Sequence, residues 1–287
     1  MRKHLTTVLI IVMFIVGLSV LLYPAISNYI NQKNASKVIS EYNDKLENTS
    51  SDRIESMFAQ AQDYNKRLGE TSSAFYNPEL VNGYDTTLDI TGTGIMGYID
   101  IDRIGVELPI YHTVDDSVLS AGAGHLEGTS LPIGGASTHC VLSGHRGLPS
   151  AKLFTDLDEL EVGDEFTITV LDQKLTYRID RIKTVKPSET EDLQIESGKD
   201  YCTLMTCTPY GINSHRLLLR GVRVETAEEK PGIFVKNEAF RIDPLVVTPI
   251  VAVPMLVAAL VFVLVRDHIS KKKKKLAKEA GGSEETQ

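Results

Sequence analysis

The chain has 287 residues, 42% of them apolar and 24% charged, with 21 Gly and 11 Pro. That balance fits one or two packed domains and excludes wholesale disorder and collagen-like repetition. A net charge of −8 argues against nucleic acid as a partner, because phosphates demand a basic face. Three cysteines are too few to staple a mini-domain, and an odd number leaves at least one thiol outside any internal bridge.

Hydrophobicity is concentrated at the two ends. From Leu5 to Tyr23 there are 19 residues without a charge, preceded by Arg2 and Lys3. An uncharged run of about 18 residues is long enough to cross the hydrocarbon core as a helix. Residues 1–23 are therefore predicted to be a membrane anchor. A cleaved signal peptide is the alternative, since Ala25-Ile26-Ser27 offers a small-x-small site, but the run is longer than a usual signal core. A second uncharged run of 22 residues, Pro244 to Val265, predicts a C-terminal transmembrane helix over 244–265. Its prolines, Pro249 and Pro254, are tolerable within a membrane.

Basic residues flank the outer end of each run, which places both termini in the cytoplasm and residues 24–243 outside. Residues 1–23 carry +2 and the tail 266–287, with its run Lys271 to Lys275, carries +3, so −13 falls on the exported part. The basic tail, residues 266–287, suits the anionic inner leaflet, which makes membrane lipid an expected partner.

Within 24–93, the apolar positions Val38, Ile39, Tyr42, Leu46, Ile54, Met57 and Phe58 approximate a helical period, interrupted at Asn48–Asp52. They predict two helices leading away from the membrane. Residues 71–93 are rich in Ser, Asn, Pro, Gly and Thr and read as loop. From Ile95 the pattern becomes short β runs: 95–101, 106–111, 139–142, 166–170, 174–184, 201–207 and 215–224. One short helix is predicted near 153–160. Many short strands at such spacing indicate a mainly β sandwich or closed barrel.

Cys207 ends a strand-like run and meets the loop Thr208-Pro209-Tyr210-Gly211, a common placement for a nucleophile. His145, in Ser143-Gly144-His145-Arg146-Gly147, also leaves a strand into a glycine-flexed loop. A Cys–His pair activates sulfur because a nearby imidazole favours the thiolate. Arg216, on the next strand-like segment, can supply fixed positive charge to an oxyanion. His112, His125, His139 and His215 read as structural. No zinc spacing, no HExxH and no nucleotide-binding glycine loop is present, so neither a metal nor a cofactor is expected.

These residues carry a resemblance. Thr203-Leu204-Met205-Thr206-Cys207 resembles the TLxTC signature of sortases, with His145 and Arg216 where that family keeps its other catalytic residues. The stretches Gly124 to Pro132, Leu142 to Ser150 and Cys207 to Gly211 resemble the class C, pilus-assembling branch, which commonly has a second C-terminal span. The resemblance covers roughly residues 94–225. It implies a closed sortase-type β-barrel at 94–230 with short helices, on the outer face of a Gram-positive membrane. A papain-like protease has the opposite order of Cys and His.

The implied activity is a cysteine transpeptidase that cleaves an LPxTG-like sorting motif after Thr and forms a thioacyl intermediate on Cys207. His145 then serves as acid and base, Arg216 steadies the oxyanion, and a pilin lysine amine accepts the acyl group. Thr206 is a candidate for substrate contact. Two alternatives are a sortase that anchors surface proteins to the peptidoglycan precursor, and a non-catalytic membrane-bound scaffold. Class C enzymes usually cover the cysteine with a lid bearing Asp-Pro-aromatic; here the region reads Asn77-Pro78-Glu79. Because Asn77 cannot pair fully with Arg216, residues 72–83 are expected to cover Cys207 but to be weakly held. In the sortase fold the His and Cys strands run parallel, so Cys140 and Cys202, each five residues before a catalytic residue, are expected to be neighbours facing away from the site. Their spacing permits a bridge and does not require one.

Overall fold

The structure, a computed structural model, describes residues 2–226 (backbone alone for 2–8) and, further on, residues 252–258, 260–262, 265, 266 and 269. These residues fall into two compact units, one ending at Ser27 and resuming near the C-terminus, the other beginning at Asn28 and holding the barrel.

The N-terminal helices differ from expectation in one respect. Helix α1 is continuous over Arg2–Glu47, with Pro24 inside it, so the predicted anchor and the first polar helix are one element. From Leu9 onward it contains an 18-residue window of mean hydropathy 2.7, none of it buried, long and apolar enough to cross a membrane. The helix stops where Asn48 and Thr49 turn their side chains back onto the Asp44 and Lys45 carbonyls. Half of the second predicted span, residues 244–265, falls outside the described residues. Within it the described residues 252–258 and 260–262 are helical and apolar. The tail 271–287 lies outside the described residues altogether.

Helix α2, Ser51–Glu70, buries Met57, Ala61, Tyr64, Asn65 and Leu68, a stripe at helical spacing. Asn65 fixes the helix to the barrel like a strand residue: its side chain donates to the Leu131 carbonyl at 3.2 Å and accepts from the Leu131 N–H at 2.7 Å. From α1, the buried Tyr42 hydroxyl donates to the Met96 carbonyl and accepts from Leu171 N–H.

The strands are β1 (Ile95–Ile101), β2 (Val106–Tyr111), β3 (Ala123–His125), β4 (Thr138–Ser143), β5 (Glu165–Val170), β6 (Gln173–Val185), β7 (Asp200–Thr208) and β8 (His215–Val224). Among the described residues they close into one barrel in the order β1-β2-β3-β4-β7-β8-β6-β5. The seven predicted strands are all present. The three-residue β3 was missed because it is too short to show a period. The predicted helix near 153–160 is a run of turns with one 3₁₀ turn, Leu157–Glu159. Its apolar positions, Leu153, Phe154, Leu157 and Leu160, are buried as irregular chain.

Like charges meet on the barrel wall. Asp100 on β1 stands opposite Glu107 on β2, with Asp102 beside it. Burial first, then Asp102 and Glu107, push its carboxyl up from 3.8 to about 6. The folded state thus holds the proton more tightly than the unfolded chain. That stabilisation is full below about pH 4 and is lost as pH rises through about 6. After allowance for solvent screening, Asp100→Asn should raise the melting temperature by about 2–4 °C at pH 7.5 and leave it unchanged at pH 4. Equal gains at both pH values, read by circular dichroism, would contradict this account.

Candidate active site

The site is built by register. Strands β4 and β7 run parallel, pairing Thr138 with Asp200 through to Ser143 with Met205. Two steps further brings His145 level with Cys207, and the contact continues past the strand end: Gly144 N–H donates to the Met205 carbonyl at 3.1 Å. On the other side, antiparallel β8 sets Arg216 directly opposite Cys207. A directly opposed pair shares one face of the sheet. His145, Cys207 and Arg216 therefore stand at one height on three neighbouring chain segments.

The loop carrying His145 is clamped from three directions. Thr206, buried, donates its hydroxyl to the Gly144 carbonyl at 2.8 Å. Phe154 N–H donates to the His145 carbonyl, and the Phe154 ring lies against Gly144. Farther along, Gly147, at φ +78°, lets the Tyr210 ring approach, while the Arg146 guanidinium sits 5.9 Å from that ring and pairs with Asp158. Thr206 thus lies on the face of β7 opposite to Cys207, in a supporting position rather than toward a substrate.

Cys207 is half-buried and the His145 side chain is 29% exposed, so both are reachable from solvent. Arg216 uses Nη1 to donate to the Asn213 and His215 carbonyls. Among the described residues its Nε and Nη2 donate to no protein group, which leaves donors for a developing negative oxygen.

One rung below the pair Cys207–Arg216 the same face turns apolar. Met205 is opposite Leu218, and Val141, Val185 and Leu193 complete a buried floor, with Phe75 and Leu126 packed on it. These floor residues were not singled out from the sequence, although period two from Cys207 and His145 leads to Met205 and toward Val141. Below the floor the face is polar. His139 is bonded at both ring nitrogens, to the Gln194 carbonyl and the Thr203 hydroxyl, and burial lowers its pKa. Arg220 forks onto Asp180 at 2.7 and 3.0 Å, reaches Glu196 at 3.2 Å and covers the Tyr201 ring at 4.2 Å. Gln194 and Glu196 belong to the β6–β7 connection, which is thereby fastened along this face.

The segment 72–83 does lie beside the site, held by residues other than those expected. Ala74 is buried, Phe75 packs on the apolar floor, and the Tyr76 hydroxyl meets Thr190 Oγ1 at 2.9 Å. The Ala74 and Phe75 carbonyls run so close to Gly128, at φ +84°, that any Cβ there would meet them at about 3 Å. Asn77 bonds back to the Ser73 carbonyl, Pro78 opens a 3₁₀ turn and Glu79 is exposed; none of the three bonds Arg216.

Cys140 and Cys202 are register partners, both buried and both free thiols. Burial pushes the Cys202 thiol well above its ordinary value. They line the barrel interior, away from Cys207, as the odd spacing requires.

The tightest clamp gives a test. A Cβ on residue 144 would stand 2.5 Å from the Phe154 ring. Gly144→Ala should cost about 1–3 kcal/mol through overpacking and shift the His145 ring resonances. Urea unfolding and NMR check both, and unshifted resonances would show that the clamp does not set His145.

Comparisons with known proteins agree on one family. The Sortase domain family matches residues 99–224. The sortase D of Bacillus subtilis is 31% identical over 131 residues, which are 45% of this chain and 63%, just under two thirds, of that protein. The crystal structure of sortase C1 from Streptococcus agalactiae is 47% identical, covers 66% of this chain and 99% of its own, and superposes with a TM-score of 0.61. The sortase C of Clostridium perfringens with the C-terminal cell wall sorting motif is 40% identical over 67% of this chain and 100% of its own, at a TM-score of 0.58. A barrel that sets a cysteine level with a histidine and opposite an arginine, together with this likeness, identifies the chain as a member of the sortase family of cysteine transpeptidases, on its class C side.

Proposed function

We propose that the protein is a membrane-anchored transpeptidase that joins pilin subunits through an LPxTG-like sorting motif, with its barrel outside the cell and both termini in the cytoplasm. The observation that carries this reading is the alignment of His145, Cys207 and Arg216 above an apolar floor. The likeness to class C structures, one of them holding a cell wall sorting motif, supports the substrate class.

The sorting motif lies along the outer face, with its Leu and Pro side chains on the floor of Val141, Leu193, Met205 and Leu218. The Cys207 thiolate attacks the Thr carbonyl carbon; a C–S bond forms and the carbonyl oxygen takes the negative charge, facing the free N–H donors of Arg216. Collapse breaks the Thr–Gly C–N bond as imidazolium His145 gives its proton to the leaving amine. A lysine amine of the next subunit then attacks the thioester and passes a proton to His145, and the thiolate leaves. Peptide-bond energy is retained in the thioester, so no nucleotide is needed outside the cell.

Incubation with an LPxTG-like peptide should give a thioacyl adduct on Cys207 by mass spectrometry, absent in Cys207→Ala. Adding a lysine-bearing pilin peptide should convert the adduct to an isopeptide product. Arg216→Ala should lower turnover about 10²–10³-fold, as for loss of an oxyanion donor. An adduct on any thiol other than Cys207 would sink the proposal.

The segment 72–83 acts as a cover on the substrate floor. Phe75 occupies apolar surface that the sorting motif needs, at a value of about 1 kcal/mol for partial burial. Phe75→Ala should therefore raise kcat/KM for the peptide about fivefold. An unchanged rate would show that Phe75 leaves the groove free.

A further inference from the structure

From Asn28 onward helix α1 belongs to the same compact unit as the barrel. One stripe of it faces inward. Ala35, Ile39 and Tyr42 are buried, at steps of four and three along the helix. Followed back toward the N-terminus, the same stripe reaches Asn31 and then Asn28, both half-buried. The stripe thus changes from apolar side chains to amides where it meets the loop that carries His145.

The amides meet backbone. Lys152 N–H donates to Asn28 Oδ1 at 2.8 Å, and Asn31 Nδ2 donates to the Ser150 carbonyl at 2.6 Å. One side chain accepts and the other donates, so the pair engages residues 150–152 much as a neighbouring strand would. The Lys152 ammonium is occupied separately, by the Asp156 carboxylate at 2.8 Å and the Ile104 carbonyl at 3.2 Å.

Residues 150–155 are the return leg of the loop that opens at His145, and they support that opening at three points. Phe154 N–H donates to the His145 carbonyl at 3.1 Å, and the Phe154 ring lies against Gly144. The Thr155 hydroxyl accepts from Gly147 N–H at 3.1 Å. The support is therefore in series: α1 holds residues 150 and 152, and residues 154 and 155 hold 144, 145 and 147. A shift of the return leg carries the imidazole with it.

Resting on the assignment of His145 as proton carrier, we propose that Asn28 and Asn31 are positioning residues for it. The two amides of α1 set where the return leg lies, and the return leg sets the imidazole level with Cys207. A misplacement of about 1 Å at a reacting group can cost about 10²-fold in rate. The apolar floor of Val141, Leu193, Met205 and Leu218 is built without α1, so substrate binding is left alone when the amides are changed.

The two amides respond oppositely to the same substitution, because a carboxylate accepts and cannot donate. In the full-length chain in detergent, Asn28→Asp should keep kcat for an LPxTG-like peptide within about twofold. Asn31→Asp should lower it about tenfold with KM unchanged, and Asn28→Ala should do the same. In histidine-labelled protein, with the His145 signals assigned through His145→Ala, the ring resonances should shift in the two slow variants and stay in place in Asn28→Asp. Equal effects of the two Asp substitutions would overturn the proposal, as would a slow Asn31→Asp variant with unshifted His145 resonances. Retained activity in His145→Ala is a separate outcome. It would overturn the assignment of His145 and this inference with it.

Discussion

Parallel strands cannot be joined by a hairpin, so β4 and β7 meet only after the chain has crossed β5 and β6. Their pairing keeps a constant offset of 62 residues, from Thr138–Asp200 to Ser143–Met205. The same offset relates Cys140 to Cys202 and His145 to Cys207. One register thus fixes two pairs at once, and strand alternation sends them to opposite faces: Cys140 and Cys202 into the barrel, His145 and Cys207 outward. A slip of one residue would exchange the faces and bury the site. Specification of that register by the apolar interior, with Leu142 and Leu204 in it, is what the chemistry depends on.

On the outer face of β7 and β8, Cys207 stands opposite Arg216, then Met205 opposite Leu218, then Thr203 opposite Arg220, while β4 sets Ser143 level with Met205 and Val141 level with Thr203. Burying Arg220 is costly unless its charge is met, and Asp180, Glu196 and the Tyr201 ring meet it. Because Glu196 and the Gln194 carbonyl belong to the β6–β7 connection, satisfying that charge and the His139 ring also fixes where the connection lies. Leu193 then reaches the floor. A polar requirement low on the face thereby shapes an apolar surface above it.

The sequence made the barrel legible wherever strands were long enough to show period two, and three of the seven predicted strands have the observed ends, Ile95–Ile101, Val106–Tyr111 and His215–Val224. It failed where local pattern gives way to tertiary contact. The buried residues at 153–160 follow helical spacing, yet they fill the barrel end as turns, because Phe154 is anchored to Gly144 and His145. The break at Asn48 was visible, but the junction of apolar and polar stretches within α1 was read as a boundary although the helix runs through it. In the site, the residue types and order of His145, Cys207 and Arg216 pointed to the chemistry.

The covering segment shows why motif letters and physical role can separate. An acid at position 77 would compete for the guanidinium of Arg216, and a closed cover of that kind occupies the donors that the reaction needs. Here Asn77 closes its own turn on Ser73, and the cover is held by apolar contact through Phe75 and by the Tyr76–Thr190 bond. Such a hold is little affected by salt, because it involves no ion pair. On the proposed function it also competes with substrate for the floor alone, where an incoming apolar side chain can replace the Phe75 ring with little net loss of buried surface. On the proposed function, displacement of the cover and seating of a sorting motif are one exchange on one surface, with Arg216 left unengaged by the cover throughout.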